Sequence, residues 1–155
     1  ILIAVNKWDA VEKDTKTADE FTRKLREDLA MFDFIPVVYI SALTKQRVTK
    51  VVEMCEQIHA RRRSRIPTAQ LNDALLNDIE MTPPPSVRGF DLRINYITQI
   101  KTEPPMFAFF SNKPELIPDS YKRFLERALR RHHELEGVPV SFSFRKKNRR
   151  IGDEE

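Results

Sequence analysis

Two apolar runs alternate with two stretches of helical periodicity in the first 62 residues. The runs at residues 1–5 and 34–40 are nearly continuous, which is typical of strands covered on both faces, and Pro36 lies near the start of the second. The other two stretches carry apolar residues every three or four positions. The first has Phe21, Leu25, Leu29 and Phe32 after the candidate caps Asp14, Thr15 and Thr17, and the second has Val48, Val51, Val52, Cys55, Ile58 and His59. This order predicts a parallel α/β sheet.

The order of elements changes after a basic segment at residues 61–65. A helix with Leu71, Ala74, Leu75 and Ile79 on one face is predicted to begin with Thr68 as its cap and to end before the prolines at 83–85. Alternation at Phe90, Leu92, Ile94, Tyr96 and Ile100 predicts a strand, and residues 106–110 predict a second one.

A second helix and a third strand complete this part of the chain. The helix is predicted to start at residues 118–120 and to stop at Gly137, with Tyr121, Phe124, Leu125, Ala128, Leu129 and His132 along one side. The strand alternates at Val138, Val140, Phe142 and Phe144. Helix, strand, strand, helix, strand predicts an α+β layer, a three-stranded sheet with two helices on one face.

Composition fits one ordinary globular domain or two small ones, since 41% of the 155 residues are apolar and 32% are charged. No run reaches the roughly 18 apolar residues of a membrane span, and no signal-peptide pattern is present, so we expect no membrane insertion and a cytoplasmic location. Cys55 has no cysteine to pair with, which predicts a reduced, packed thiol. The apolar run at residues 1–5 follows no initiator methionine, so we expect most of its partner strands to lie outside this sequence.

Two short motifs follow the two predicted strands of the first part. Asn6-Lys7-Trp8-Asp9 comes directly after the first strand, and Ser41-Ala42-Leu43 comes directly after the second. They resemble the guanine-recognition pair of GTPases, N-K-x-D and S-A-L. A carboxylate at Asp9 can accept hydrogen bonds from guanine N1–H and the exocyclic amine, which adenine does not offer. Carboxyl ends of strands are also where α/β folds bind ligands.

The same resemblance implies a role for each of the other residues. Lys7 would lie along the base and sugar, Asn6 would tie the two loops together, and the Ala42 N–H would reach the guanine carbonyl oxygen, with Ser41 and Leu43 completing the motif. Trp8 is a packing residue in either interpretation. The alternative is that Lys7 and Asp9 are surface residues of an exposed loop with no binding role. No G-x-x-x-x-G-K-[ST] phosphate loop occurs in the sequence, so we expect these residues alone neither to hydrolyse GTP nor to hold GTP or GDP tightly.

The remaining sequence resembles the C-terminal KH-like domain of the Der (EngA) family. The resemblance rests on ordered blocks at residues 92–99, 104–107, 110–116, 120–126 and 136–140, and it extends over about residues 1–150. It implies the C-terminal portion of a second P-loop GTPase domain at 1–62, a basic linker at 63–67, a KH-like domain at 68–148 and a tail at 149–155. Proteins of this family have two tandem GTPase domains, use GTP or GDP with Mg²⁺, and act in assembly of the large ribosomal subunit. The implied partners are therefore that subunit, its ribosomal RNA, and the GTPase domains of the same protein.

Clusters of basic residues make RNA phosphate a candidate ligand of the KH-like part. The candidate contacts are Lys122, Arg123, Arg127, Arg130, Arg131, Arg145, Lys146, Lys147, Arg149 and Arg150. A standard KH domain clamps nucleic acid with a GXXG loop, and the glycines Gly89, Gly137 and Gly152 are not so spaced. Two alternatives therefore stay open: a module that binds RNA or protein independently of nucleotide, and clusters that are merely solvated.

Two other groups of residues are poor candidates for chemistry. His132 and His133 have no third ligand at suitable spacing for a metal, and we expect His132 to be packed and His133 exposed. The carboxylate pairs Glu53 with Glu56 and Glu134 with Glu136 are interpreted as solvated side chains rather than as an acid–base pair. No catalytic residue and no metal site is predicted within these 155 residues.

Overall fold

The computed structural model describes residues 1–11, 17–28 and 33–146. The chain divides into two compact units. Unit 1 comprises Ile1–Arg62 and Leu135–Pro139, and unit 2 comprises Arg63–Glu134 with the residues from Val140 onward. The candidate caps Asp14 and Thr15, the helix positions Leu29 and Phe32, the tail at 149–155, and the basic residues Lys147, Arg149 and Arg150 lie outside the described residues.

Unit 1 contains the predicted order of strand, helix, strand and helix. Strand β1 (Ile3–Val5) pairs in parallel with β2 (Val37–Tyr39), in a register that sets Ile3 opposite Val37 and Val5 opposite Tyr39. Helix α1 (Thr17–Asp28) connects the two strands, and α2 (Val48–Arg63) follows the second. Pro36 precedes β2, as expected, and its carbonyl accepts a hydrogen bond of 3.0 Å from the Ile3 N–H.

The core of unit 1 gathers around the single tryptophan. The Trp8 ring is buried, with its centroid 4.3 Å from that of Tyr39 and 5.7 Å from that of Phe21. The Tyr39 hydroxyl also lies 2.9 Å from Thr22 Oγ1 on α1. Trp8 is therefore a core residue, placed three residues beyond the end of the short strand β1.

The predicted inner face of α2 is wrong in part, since only Val51 and Ile58 of its six residues are withdrawn from solvent. Val48, Val52 and Cys55 are exposed, and the half-buried residues are Val51, Met54 and Ile58. At 100° per residue the second set lies about 100° around the helix from the first. The thiol of Cys55 is therefore exposed rather than packed.

The segment Leu135–Pro139 belongs to unit 1 by its contacts. The Gly137 N–H donates to Phe34 O at 2.7 Å, and Ile1 N donates to Gly137 O. Leu135 and Val138 are buried. Gly137 has φ of 73°, a left-handed conformation that favours glycine. The sequence predicted that Gly137 stops the preceding helix, but that helix already ends at His132, five residues earlier.

Unit 2 has the predicted order of helix, strand, strand, helix and strand. These elements are α3 (Thr68–Met81), β3 (Ile94–Thr102), β4 (Pro105–Ser111), α4 (Asp119–His132) and β5 (Ser141–Lys146). Strand β4 is central, antiparallel to β3 and parallel to β5. The core positions predicted for the helices are buried at Leu71, Leu75 and Ile79 of α3, and at Tyr121, Leu125, Ala128 and Leu129 of α4.

Both helices lie on the same side of the sheet. Lys122 Nζ of α4 lies 5.6 Å from the ring centroid of Phe144 on β5. Helix α3 is tied to α4, because the Tyr121 hydroxyl donates to Thr82 O at 2.7 Å, just beyond the end of α3. Burial raises the pKa of Tyr121 to about 12, so this hydroxyl keeps its proton at neutral pH.

The predicted alternation along β3 is wrong in part. The strand begins at Ile94, and its pairing with β4 shifts between Ile94 and Tyr96 and again between Gln99 and Lys101. Each irregularity changes which side chains face the core. Ile97 and Gln99 are consequently buried, whereas Tyr96 and Ile100, predicted to face the core, are exposed.

Three further predictions about helix ends in unit 2 are wrong. Pro67 rather than Thr68 holds the N-cap of α3, and the Thr68 hydroxyl lies 3.1 Å from that of Thr98. His132 is exposed and its Nε2 lies 2.8 Å from Asp78 Oδ2. His133 leaves the helix in an extended conformation and becomes half-buried, and burial lowers its pKa.

Candidate functional site

One asparagine side chain joins the two predicted recognition loops. Asn6 Oδ1 accepts a hydrogen bond from the Lys7 N–H at 2.8 Å and another from the Ala42 N–H at 3.0 Å. Parallel pairing of β1 and β2 brings the carboxyl ends of both strands to the same edge, where these loops begin. The backbone N–H of Trp8 also donates to Ile40 O at 3.0 Å. The structure therefore brings residues 6–9 and 41–43 side by side.

The loop that carries Asp9 is held in a defined turn. Lys7 has φ of 62°, and Trp8–Ala10 forms a short 3-10 helix in which the Ala10 N–H donates to Lys7 O at 3.0 Å. Trp8 is buried within this turn, whereas the neighbouring Lys7 and Asp9 are exposed. The buried ring anchors the turn and leaves the charged side chains on either side of it at the surface.

The second loop is fixed by its first residue. Ser41 is fully buried, its Oγ accepts a hydrogen bond from the Thr44 N–H at 3.1 Å, and its N–H donates to Gln46 O at 3.2 Å. Leu43 is 83% exposed, so its side chain adds nothing to the core. The buried Ser41 therefore holds the loop in its conformation through these two hydrogen bonds.

The position of Ala42 differs from the role implied for it. Its N–H was expected to reach the guanine carbonyl oxygen, and in this structure it donates to Asn6 Oδ1. The loop tie expected of Asn6 is present, and it uses the donor expected for the base. Guanine recognition by Ala42 would require the base oxygen to share that N–H with Asn6.

The basic residues of α4 divide into paired and unpaired side chains. Lys122 Nζ lies 2.8 Å from Asp119 Oδ1, Arg130 Nη2 lies 2.8 Å from Glu126 Oε1, and Arg131 Nη2 lies 2.9 Å from Asp78 Oδ2. Arg130 is also largely buried along its side chain, so it does not belong to the exposed basic face. Arg123 and Arg127 are exposed and form no salt bridge with a carboxylate of the described residues.

The paired carboxylates respond electrostatically to their partners. Burial acts to raise the pKa of Asp78, but hydrogen bonds from His132 and Arg131 outweigh it and hold that pKa below its usual value. The hydrogen bond from Lys122 similarly lowers the pKa of Asp119. Both carboxylates therefore stay ionised at neutral pH, and they neutralise part of the charge on α4.

Other basic residues of the predicted clusters lie at the end of α2, just after that helix, and on β5. Arg63 pairs with Glu103 at 3.1 Å, and Arg65 Nη2 donates to Gln99 O at 3.4 Å. Arg145 and Lys146, at the end of β5, are exposed. Arg145 Nε donates to Ser143 Oγ at 3.1 Å.

Sequence reasoning missed one exposed group next to these cations. The rings of Tyr96 and Phe110 lie with centroids 5.6 Å apart, and Tyr96 is 43% exposed. The alternating pattern placed Tyr96 in the core because a bulge between Ile94 and Tyr96 has no clear sequence signal.

The described residues contain neither a cluster of metal ligands nor a helix able to span a membrane. Within 1–11, 17–28 and 33–146, no three His, Cys, Asp or Glu side chains converge as metal ligands. In the same ranges, no helix combines the length and the apolar character needed to span a membrane.

Comparison with known proteins places residues 65–145 in a described family, the KH-domain-like region at the C-terminus of EngA bacterial GTPase enzymes. The chain is also similar to proteins named GTPase Der. It is 49% identical over 147 residues to that of Chloroherpeton thalassium, 46% over 148 residues to that of Halalkalibacterium halodurans, and 45% over 147 residues to that of Cytophaga hutchinsonii. These alignments cover 95–96% of this chain and 34% of each relative, so the chain spans about a third of their length.

Proposed function

The chain belongs to the Der (EngA) family of bacterial GTPases, and from this premise we propose that it is part of a GTP-binding, GTP-hydrolysing protein needed for assembly of the large ribosomal subunit. The observation that supports the nucleotide half is the pair of hydrogen bonds that Asn6 Oδ1 accepts from the backbone N–H groups of residues 7 and 42. This side chain holds the two recognition loops together at one edge of the β1–β2 pair.

In this proposal unit 1 recognises the guanine base. The Asp9 carboxylate accepts hydrogen bonds from N1–H and from the exocyclic amine, a pattern that adenine does not present. Lys7 lies along the base and sugar, and the Ala42 N–H is shared between Asn6 and the guanine carbonyl oxygen. Burial of Trp8 fixes the turn and so positions both charged residues before the base arrives.

Hydrolysis needs groups that these 155 residues do not include. No phosphate loop is present in the sequence, so the phosphates and Mg²⁺ of GTP or GDP would be held elsewhere in the full-length protein. We propose that residues 1–155 are inactive alone and hold no nucleotide tightly. Contacts within the full-length protein to the rest of its GTPase domains would complete the site.

Unit 2 is proposed to contact ribosomal RNA through its unpaired cations. Arg123 and Arg127 are four residues apart on α4, so they share one exposed face at a separation of about 5–6 Å between their Cβ atoms. Neither forms a salt bridge with a carboxylate of the described residues, in contrast to Lys122 and Arg131. Exposed arginines outside a salt bridge can bind phosphate without first breaking an ion pair with a carboxylate.

We expect Arg123→Glu with Arg127→Glu to weaken binding of the chain to ribosomal RNA by at least about tenfold at low salt. The slope of log K against log salt should also become shallower by about 1.5–2, because two phosphate contacts are lost. Fluorescence anisotropy over a salt series measures both quantities.

The matched control is Arg23→Glu with Arg26→Glu, which reverses two exposed charges on α1. It makes the same change in net charge, so an equal loss from both double variants would show that only total charge matters. An unaltered slope in the α4 variant would remove α4 from the RNA-binding surface.

A further inference from the structure

One cross-strand row of the unit 2 sheet combines two aromatic rings with an arginine. Tyr96 of β3 is paired with Phe110 of β4, and Phe110 is paired in turn with Arg145 of β5. Side chains of directly paired residues project from the same face of a sheet. The 5.6 Å between the Tyr96 and Phe110 ring centroids agrees with this placement.

This row lies on the face of the sheet opposite the helices. The alternate positions Phe107 and Phe109 are fully buried, and Phe109 packs with its centroid 5.3 Å from that of Phe144, the ring beneath Lys122 of α4. Tyr96 and Arg145 are exposed, and Phe110 is half-buried. The helices thus cover one face, and the Tyr96–Phe110–Arg145 row occupies the other.

The arginine of this row is positioned rather than freely mobile. Arg145 Nε donates to Ser143 Oγ, two residues earlier on the same face of β5, at 3.1 Å. Lys146 follows it at the end of the strand and is also exposed. Neither residue forms a salt bridge with a carboxylate of the described residues, so the aromatic pair is bordered by positive charge.

We propose that this row is a stacking platform for unpaired bases of single-stranded RNA. Tyr96 and Phe110 offer ring faces to one or two bases, and Arg145 offers its guanidinium to the adjoining phosphate or to a base. Exposed aromatics beside cations on an open sheet suit this ligand, since stacking supplies sequence-tolerant affinity and the cations follow the backbone. The inference rests on the proposed RNA contact of unit 2 and assigns a site that α4 does not include.

Backbone groups at the outer edge of β3 are already hydrogen-bonded, which disfavours the addition of a partner strand there. Asn72 Oδ1 accepts from the Ile97 N–H at 3.0 Å, and Asn72 Nδ2 donates to Ile97 O at 2.8 Å. Arg65 Nη2 donates to the backbone oxygen of Gln99 at 3.4 Å. Side chains of this chain therefore occupy the backbone groups that a partner strand would need.

The test measures binding of the whole 155-residue chain to fluorescein-labelled, unstructured 12-nucleotide RNAs, oligouridine and oligoadenosine, by fluorescence anisotropy. Tyr96→Ala is expected to lower affinity roughly 5- to 100-fold, the range for losing one stacked base, with an unchanged salt slope. Tyr96→Phe keeps the ring and should bind like the unsubstituted chain. Arg145→Ala should make the salt slope shallower by about one.

Ile100→Ala is the matched control, because Ile100 is an exposed apolar residue of the same strand outside the row. Circular dichroism establishes that each variant is folded. Equal affinity of the unsubstituted, Tyr96→Ala and Tyr96→Phe chains would overturn the platform. If Arg123→Glu with Arg127→Glu still weakens binding in that case, the RNA contact of α4 stands without it.

Two other results would also overturn the platform. Duplex RNA of the same length competing as well as single-stranded RNA would show that unpaired bases are not needed. Self-association of the chain in sedimentation, abolished by Tyr96→Ala without a change in RNA affinity, would assign the sheet face to a second copy of the chain.

Discussion

We expect Asp9→Asn in the full-length protein to lower its affinity for GDP by roughly two to four orders of magnitude. The carboxylate accepts two charge-assisted hydrogen bonds from guanine in the proposed complex, and each is worth about 1.5–3 kcal/mol. An amide at this position presents one donor where guanine also presents a donor. Xanthine carries a carbonyl oxygen in place of the amine, so the amide donor matches it, and XDP should bind the variant more tightly than GDP does.

Isothermal titration with GDP and XDP measures this exchange of preference. The control is Asp19→Asn, which removes an exposed carboxylate from the first turn of α1 and should leave both affinities unchanged. Undiminished GDP affinity in Asp9→Asn would contradict the proposal that Asp9 hydrogen-bonds the guanine base. Loss of both nucleotides, with no gain for XDP, would point to damage to the turn around Trp8.

Gly137→Ala is expected to destabilise unit 1 by roughly 2–6 kcal/mol. The φ of 73° costs a side chain about 1–3 kcal/mol, and overpacking adds about 1–3 kcal/mol. A Cβ at this position would lie 2.6 Å from Ile58 Cδ1 and 2.8 Å from the carbonyl oxygen of Ile1. Because the oxygen belongs to the backbone, a change of side-chain rotamer cannot relieve both contacts.

Urea unfolding followed by Trp8 fluorescence measures this loss, because the single tryptophan is buried in unit 1. Gly89→Ala separates the two causes, since Gly89 has φ of 78° and no atom within 4 Å of an added Cβ. The free energy of unfolding of Gly89→Ala, followed by circular dichroism, should fall only by the cost of the positive φ, about 1–3 kcal/mol. In a Gly137→Ala background, Ile58→Ala removes the clashing side-chain atoms and should cost less than it does alone. A Gly137→Ala loss no larger than that of Gly89→Ala would contradict the close packing.

The regular parts of both units could be predicted because their residues follow simple periods. Leu71, Leu75 and Ile79 are spaced for one face of a helix, and burial on α3 follows that spacing. The order helix, strand, strand, helix, strand in unit 2 came from such patterns together with Pro and Gly breaks. In the first part, residues 1–5 and 34–40 each contain a strand that is shorter than the apolar run itself.

The errors have local physical causes that periodicity does not reveal. Tyr96 was assigned to the core because alternation assumes an unbroken pleat, and a bulge in β3 breaks it. Cys55 was assigned to the core because α2 carries two neighbouring apolar stripes and only tertiary packing decides between them. His132 is exposed and His133 half-buried, the reverse of the prediction, because α4 ends between them.

The candidate sites were predictable to different depths. Residue types and spacing made Asn6, Lys7, Asp9 and residues 41–43 candidate base contacts, and the parallel pairing of β1 with β2 brings them to one edge. The hydrogen bond that links Asn6 to Ala42 depends on backbone geometry, which the motif does not specify. On α4, charge alone could not separate Arg130, held by Glu126, from Arg127, because the i,i+4 partner decides the matter.

Binding of the 155-residue chain to purified large ribosomal subunits over a salt series tests the central claim most directly. Co-sedimentation should show binding at low salt that weakens steeply as salt rises, because Arg123, Arg127, Arg145 and Lys146 displace counterions from RNA phosphate. Small subunits serve as the comparison and should bind more weakly. A folded chain that does not bind large subunits even at low salt would contradict the proposal that unit 2 contacts ribosomal RNA.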